Sequence, residues 1–288
     1  MPEIAETAKG PIEYDVAGEG APVLVVHGSP GGYDQGRAMA SALPPERFLT
    51  VAVSRPGYLR TELAGREAID AQADLLAALL DTLGIERAGV LCWSGGGPSS
   101  YRLAARHPER VRALVALAAV SEALERPHED LPTRLLFTTR PGDWLLRVMA
   151  AHAPKQLIGS TLASEGELSK DELRRRTAEV FEDERKRRFV LDLDATVRYG
   201  GDRKAGLNND FDRFAEIDTL ALERISAPCL LVHGSVDTDV PPHHSEHAAA
   251  AIPDAELVML EGGTHLAFYT HPESVGIHAR AAALLSGA

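Results

Sequence analysis

Cysteine is scarce here: Cys92 and Cys229 are the two in 288 residues, and each sits at the end or the start of an apolar run. Two such thiols give no basis for a disulfide framework, so a reducing, cytoplasmic setting is expected. Positive charge is in deficit as well. Thirty Lys and Arg against 42 Asp and Glu leave a net charge of -12, which repels phosphate backbones and anionic membrane surfaces. Nucleic acid and membrane are therefore not expected as partners. No apolar run reaches the roughly 20 residues that span a bilayer. The opening, Met1 to Thr7, lacks the basic stretch and apolar core of a secretory signal. Internal repeats and low-complexity tracts are also missing. What remains is a chain long enough for one large domain with an insertion.

What the chain does contain is an alternation. Ile12 to Ala17, Val23 to Val26 and Phe48 to Ser54 read as strands, the second a wholly apolar run of the kind buried on both faces. Ala68 to Leu83 places Ile69, Ala73, Leu76, Leu79, Leu80 and Leu83 at helical spacing and stops at Gly84. A strand at Ala88 to Cys92, a helix at Gly97 to His107 and a strand at Ala113 to Ala118 come next. From about Ser121 to Phe214 the strand-like runs vanish and charges of both signs crowd together, as on solvated helices. Strands resume at Cys229 to His233 and Ala255 to Leu260, a helix takes in Ala248 to Ile252, and a closing helix runs from Pro272 to Leu285. Strand alternating with helix predicts an α/β fold with a mostly parallel sheet. The expected organisation is a core of residues 1–120 and 215–288 with a helical insertion, 121–214.

One stretch stands out. Val90-Leu91-Cys92-Trp93-Ser94-Gly95-Gly96-Gly97-Pro98 runs from an apolar segment into a serine among small residues. A sharp strand-to-helix turn has this form, because the serine is forced into a strained conformation and residues two positions either side must be small. Its hydroxyl then stands at the carboxyl end of the sheet, above a helix N-terminus that favours developing negative charge. The stretch resembles the G-x-S-x-G nucleophile elbow of the α/β-hydrolase fold family, with Cys92 in place of the first glycine. His27-Gly28-Ser29-Pro30-Gly31-Gly32 is similar to the family's H-G-x-P loop, and Arg55-Pro56-Gly57-Tyr58 resembles a further family loop with several substitutions. The resemblance covers about Gly10 to Val120 and Ala227 to the C-terminus. It implies the α/β-hydrolase fold, with helices on both faces of the sheet and the insertion forming a cap.

A serine hydroxyl attacks poorly near neutral pH unless a base takes its proton; histidine suits that task, and a carboxylate on the other ring nitrogen fixes the tautomer. The sequence offers Ser94, Asp237 and His265 in that order, each in a loop after a predicted strand. Loops after parallel strands share one edge of the sheet, and Ser, acid, His is the family's chain order. Asp239 competes for the acid role, with turn capping as its other reading. The resemblance assigns an oxyanion hole to the backbone N–H groups of Ser29 and Gly95, the latter chosen over Trp93.

The implied activity is that of a cofactor-independent serine hydrolase acting on esters of small or medium apolar molecules. Proline iminopeptidase, lactonase, C–C bond hydrolase and perhydrolase chemistry share the triad, and a silent ligand-binding protein of the same fold is the alternative from another class. For an iminopeptidase, Glu182 or Glu184 would hold the substrate ammonium. Phe137, Trp144, Met149, Phe181, Phe189 and Tyr199 are the apolar residues available to line the cap. No cofactor or metal is expected: Ser94-Gly95-Gly96-Gly97 lacks dinucleotide-loop spacing, and His243 with His247 has no evident third ligand. Cys92, on the strand side of the turn, reads as a space-filler rather than a nucleophile.

Overall fold

The computed structural model describes residues 1–126 and 137–287. Residues 127–136 of the expected insertion lie outside the described residues. The strands are β1 (Glu3–Thr7), β2 (Gly10–Ala17), β3 (Ala21–Val26), β4 (Phe48–Val53), β5 (Ala88–Trp93), β6 (Val111–Leu117), β7 (Cys229–Gly234) and β8 (Ala255–Leu260). They form one sheet in the order β1-β2-β4-β3-β5-β6-β7-β8. From β4 to β8 every neighbouring pair is parallel, whereas β1 with β2 and β2 with β4 are antiparallel.

Helices cover both faces. Helices α2 (Ile69–Thr82) and α3 (Gly97–Arg106), with Ala248 and Ile252 at the last turn of α9 (His243–Ala251), pack on one face against Leu24, Val51, Val90, Leu114 and Leu231. Helices α1 (Tyr33–Ala40) and α11 (Ser274–Ser286) pack on the other, against Val23, Val25, Leu91, Val115 and Leu230. Successive residues of a strand point to opposite faces, so a strand covered twice must be apolar throughout. That is why Val23 to Val26 and Val90 to Cys92 are unbroken apolar runs, all fully buried. Each such side chain contributes roughly 1.5–3 kcal/mol, which makes the central strands the stable platform of the molecule.

Three elements escape the sequence pattern: β1, α1 and the short α10 (Ala267–Thr270). Strand β1 is an edge strand whose Glu3, Ile4 and Glu6 face outward, so it has no apolar run to show. Between β6 and β7 the described chain is helical, in α4 (Arg140–His152), α5 (Pro154–Ser164), α6 (Lys170–Glu182), α7 (Glu184–Asp194) and α8 (Lys204–Phe214). Ion pairs such as Arg175 with Glu172 and Glu179 cover the solvent side of α6. Among the described residues no helix is long and apolar enough to cross a membrane.

Candidate active site

Strand β5 leads into the turn at Ser94, which is non-glycine yet has a φ of 52°. Crowding around the turn accounts for the glycine at position 96. A Cβ on Gly96 would lie 2.6 Å from the carbonyl oxygens of both Val26 and His27, so only glycine lets the turn sit against the end of β3. The Ser94 carbonyl accepts from Val120 N–H at 3.1 Å. The serine itself is 9% exposed. Cys92 is fully buried, and burial pushes its thiol up to about 12. It is a space-filler.

Asp237 and His265 meet. His265 Nδ1 is 2.7 Å from Asp237 Oδ2, and Asp237 Oδ1 accepts from the N–H groups of Asp239 and Val240 at 2.9 and 3.1 Å. The turn cap is thus Asp237, not Asp239. Burial alone would raise the Asp237 carboxyl, but the charge of His265 and the hydrogen bonds from His233 and His265 outweigh it and hold the group below its ordinary range. For His265 burial works downward; the charge and hydrogen bond of Asp237, then the charge of Asp239, raise it above 6.5. His265 reaches the elbow through Trp93, whose ring centroid lies 5.0 Å from the imidazole. Ser94 Oγ makes no hydrogen bond to His265 among the described residues.

His233, which the sequence marks only as a strand end, supports the acid. Its Nε2 is 3.1 Å from Asp237 Oδ2 and 2.8 Å from the Val240 carbonyl, while Nδ1 is 2.6 Å from Ser245 Oγ. Glu165, from the loop after α5, is the other unforeseen neighbour. Its carbonyl accepts the His265 N–H at 2.9 Å, and its carboxylate, with Asp239 and His265, offers atoms within 4.8 Å of one another. Burial first, and then the charge of Asp239, raise the Glu165 carboxyl well above its ordinary value.

On the other side of the elbow, a Cβ on Gly95 would collide with Ser29 Oγ, and one on Gly28 would lie 3.1 Å from Ser94 Cβ. Ser29 and Gly95 are therefore adjacent. Beneath them Arg55, 1% exposed, presents its guanidinium to both oxygens of Asp210 at 2.8 and 2.6 Å. Tyr58 donates to Asp210 at 2.5 Å, and Ser29 Oγ donates to the same carboxylate. Asp210 belongs to α8 and is indistinguishable in the sequence from the surface acids around it.

A cavity of about 120 Å³ opens at Ser94, lined by Ser29, Gly95, Val120, Leu207, Phe211 and Phe214 among others. Of the aromatic residues expected to line the cap, Tyr199 is in this wall, with Phe137 stacked on it at 5.1 Å. Trp144 is 65% exposed, Phe189 is buried against Tyr269, and Phe181, Phe189 and Met149 do not line the cavity. Helix α8 supplies the apolar wall instead. Glu182 and Glu184 lie exposed away from it; the acid that lines it is Asp239. A larger crevice of about 960 Å³ between α1 and α7 contains none of Ser94, Asp237 or His265, so size does not locate the chemistry. His243 and His247 turn to different partners, Glu122 and Ser121.

A sequence model described as alpha/beta hydrolase fold matches residues 21–272. The chain belongs to the α/β-hydrolase family. Among solved structures, an alpha/beta hydrolase fold protein from Nakamurella multipartita is 50% identical with a TM-score of 0.98, covering 100% of this chain and 99% of that one. A hydrolase of Bacillus subtilis, YcgS, is 26% identical over 265 residues, 89% of either chain. A pimeloyl-[acyl-carrier protein] methyl ester esterase of Neisseria meningitidis is 29% identical over 232 residues, 80% of this chain and 81% of its own. Hydrolases and esterases are thus among the relatives of this α/β-hydrolase.

Proposed function

We propose that the protein is a cofactor-independent serine hydrolase that cleaves carboxylic esters of small or medium apolar molecules through an acyl-enzyme. Ser94 Oγ attacks the ester carbonyl while His265 takes its proton, and Asp237 holds the imidazole in the tautomer this requires and stabilises the imidazolium. The carbonyl oxygen becomes an oxyanion held by the N–H groups of Ser29 and Gly95, an interaction worth about 3–4 kcal/mol per donor. His265 then gives its proton to the departing alcohol, and a water molecule, deprotonated by the same histidine, releases the acid and restores Ser94. The insertion between β6 and β7, residues 121–214, serves as the cap, and the enzyme works in the cytoplasm on a small-molecule substrate.

The observation that carries this reading is the 2.7 Å contact between His265 and Asp237 on the sheet edge that bears the strained Ser94. An esterase among the relatives supports the ester bond as the target. A second reading draws on Asp239 in the cavity wall with Glu165 close by: two carboxyl groups there suit a substrate with an amine, such as a prolyl amide. A panel of p-nitrophenyl esters, lactones and prolyl arylamides, run on the protein and on Ser94→Ala, separates the two. Ester turnover lost in the variant supports the first reading, faster prolyl release the second, and turnover retained by Ser94→Ala rejects both.

A further inference from the structure

The Ser29 loop has little to hold it locally, being built from Gly28, Pro30, Gly31 and Gly32. To bind an oxyanion, however, Ser29 must aim its N–H in one direction. In a trans peptide the carbonyl and the following N–H lie in one plane and point opposite ways, so whatever fixes the Gly28 carbonyl also aims the Ser29 N–H. That carbonyl is fixed twice, by His27 Nδ1 at 2.6 Å and by Arg55 Nη2 at 3.2 Å. Arg55 is itself held: its guanidinium also meets the two oxygens of Asp210, Ser29 Oγ at 3.0 Å and the His27 carbonyl at 3.1 Å, and lies 5.0 Å from the centre of the Tyr58 ring, while its backbone N–H donates to His27 Nε2 at 2.9 Å. The Ser29 N–H donates to no other group among the described residues. It is left available beside Gly95 and the cavity.

We propose that Asp210 is a positioning residue for catalysis: by gripping Arg55 it locks the Gly28–Ser29 peptide and aims the Ser29 N–H at the developing oxyanion. The inference rests on the serine hydrolase reading and adds a component from the insertion, since α8 brings Asp210 to the loop while Leu207, Phe211 and Phe214 of the same helix shape the cavity. One helix thereby sets both the room for the acyl group and the direction of an oxyanion donor. A fixed donor contributes only in the right geometry; a shift of about 1 Å costs on the order of 100-fold in rate. A buried ion pair that served stability alone would not affect turnover per folded molecule.

The test compares Asp210→Asn, which keeps the side chain's size and removes its charge, with Tyr58→Phe, which removes one of the donors that hold the Asp210 carboxylate in place against Arg55. Rates are normalised to active sites titrated with a fluorophosphonate, and the dissociation constant of butylboronic acid, a tetrahedral oxyanion mimic, is measured beside kcat and KM. Asp210→Asn is expected to lose roughly 10- to 100-fold in kcat with KM within about threefold, and to lose boronate affinity by a similar factor. Tyr58→Phe is expected to move both in the same direction by about threefold or more. Folded variants whose kcat and boronate affinity stay within twofold of the parent overturn the proposal, whatever happens to their melting temperature. If Asp210→Asn is insoluble, Tyr58→Phe decides by the same criterion. A parent protein that neither hydrolyses esters nor binds the boronate overturns the hydrolase reading and this inference with it, whereas an active parent with unaffected variants overturns this inference alone.

Discussion

His265 Nδ1 faces Asp237 Oδ2 at 2.7 Å, on a carboxylate whose other oxygen closes its own turn through the N–H groups of Asp239 and Val240. The Asp237 carboxylate is therefore fixed by its own turn as well as by the imidazole, and the proposed role of triad acid falls to it rather than to Asp239. Asp237→Asn is expected to lower kcat by about 10³- to 10⁴-fold, the scale seen when a triad acid is made neutral, and Asp239→Asn by less than about 10-fold. Steady-state kinetics on a p-nitrophenyl ester check this, and equal losses in the two variants would assign the acid differently.

The pH profile depends on the charges around His265. Asp237 and Asp239 raise it above 6.5 against the opposing effect of burial. In its proposed role as base His265 works only when neutral, so kcat/KM should fall as pH drops through the raised value, placing the acid limb's midpoint above 6.5. Asp239→Asn removes one of the raising charges and should shift that midpoint downward. A parent midpoint below 6.5, or an upward shift in the variant, would count against the arrangement.

Under the proposed function, acyl preference should be set by space. The cavity at Ser94 is about 120 Å³, smaller than the roughly 150 Å³ that takes a benzene ring, so an acyl chain of about four or five carbons fills it. Butyrate esters should exceed octanoate esters in kcat/KM by about 10-fold or more, and Phe211→Ala should narrow that ratio. Measured across C2 to C10 p-nitrophenyl esters, a rate that rises steadily with chain length would refute the assignment of this cavity to the acyl group.

Stability at the elbow should depend on Gly96. Because a methyl there would sit 2.6 Å from two carbonyl oxygens, Gly96→Ala has to push β5 and β3 apart and should cost about 1–3 kcal/mol. Denaturant unfolding measures it. A midpoint equal to that of the parent would mean the turn is looser than its geometry.

Much of this site is legible in the sequence because Ser94 and Asp237 come one loop beyond β5 and β7, strands buried on both faces that write themselves as apolar runs. His265 follows the edge strand β8, a partly buried stretch interrupted by Glu256 but still marked by Leu257 to Leu260. What escapes is whatever depends on tertiary contact alone. Asp210 sits in a charge-rich segment where most acids are solvated, and nothing local distinguishes one that is 1% exposed. Arg55 opens a stretch that resembles a family loop only with several substitutions, and nothing in that stretch announces that its guanidinium is buried beneath Ser29. The bulky aromatics of the insertion suggest themselves as the cavity wall, yet the wall lies in α8, because packing decides which face of a helix meets the core, and composition does not.

Every step proposed for this site requires that Ser94 Oγ form the covalent bond. Incubation with a fluorophosphonate, digestion and mass spectrometry locate that bond directly. The expected result is one adduct per chain on the peptide containing Ser94, absent from Ser94→Ala and formed far more slowly in His265→Ala. An adduct on another residue, or undiminished labelling of Ser94→Ala, would contradict it.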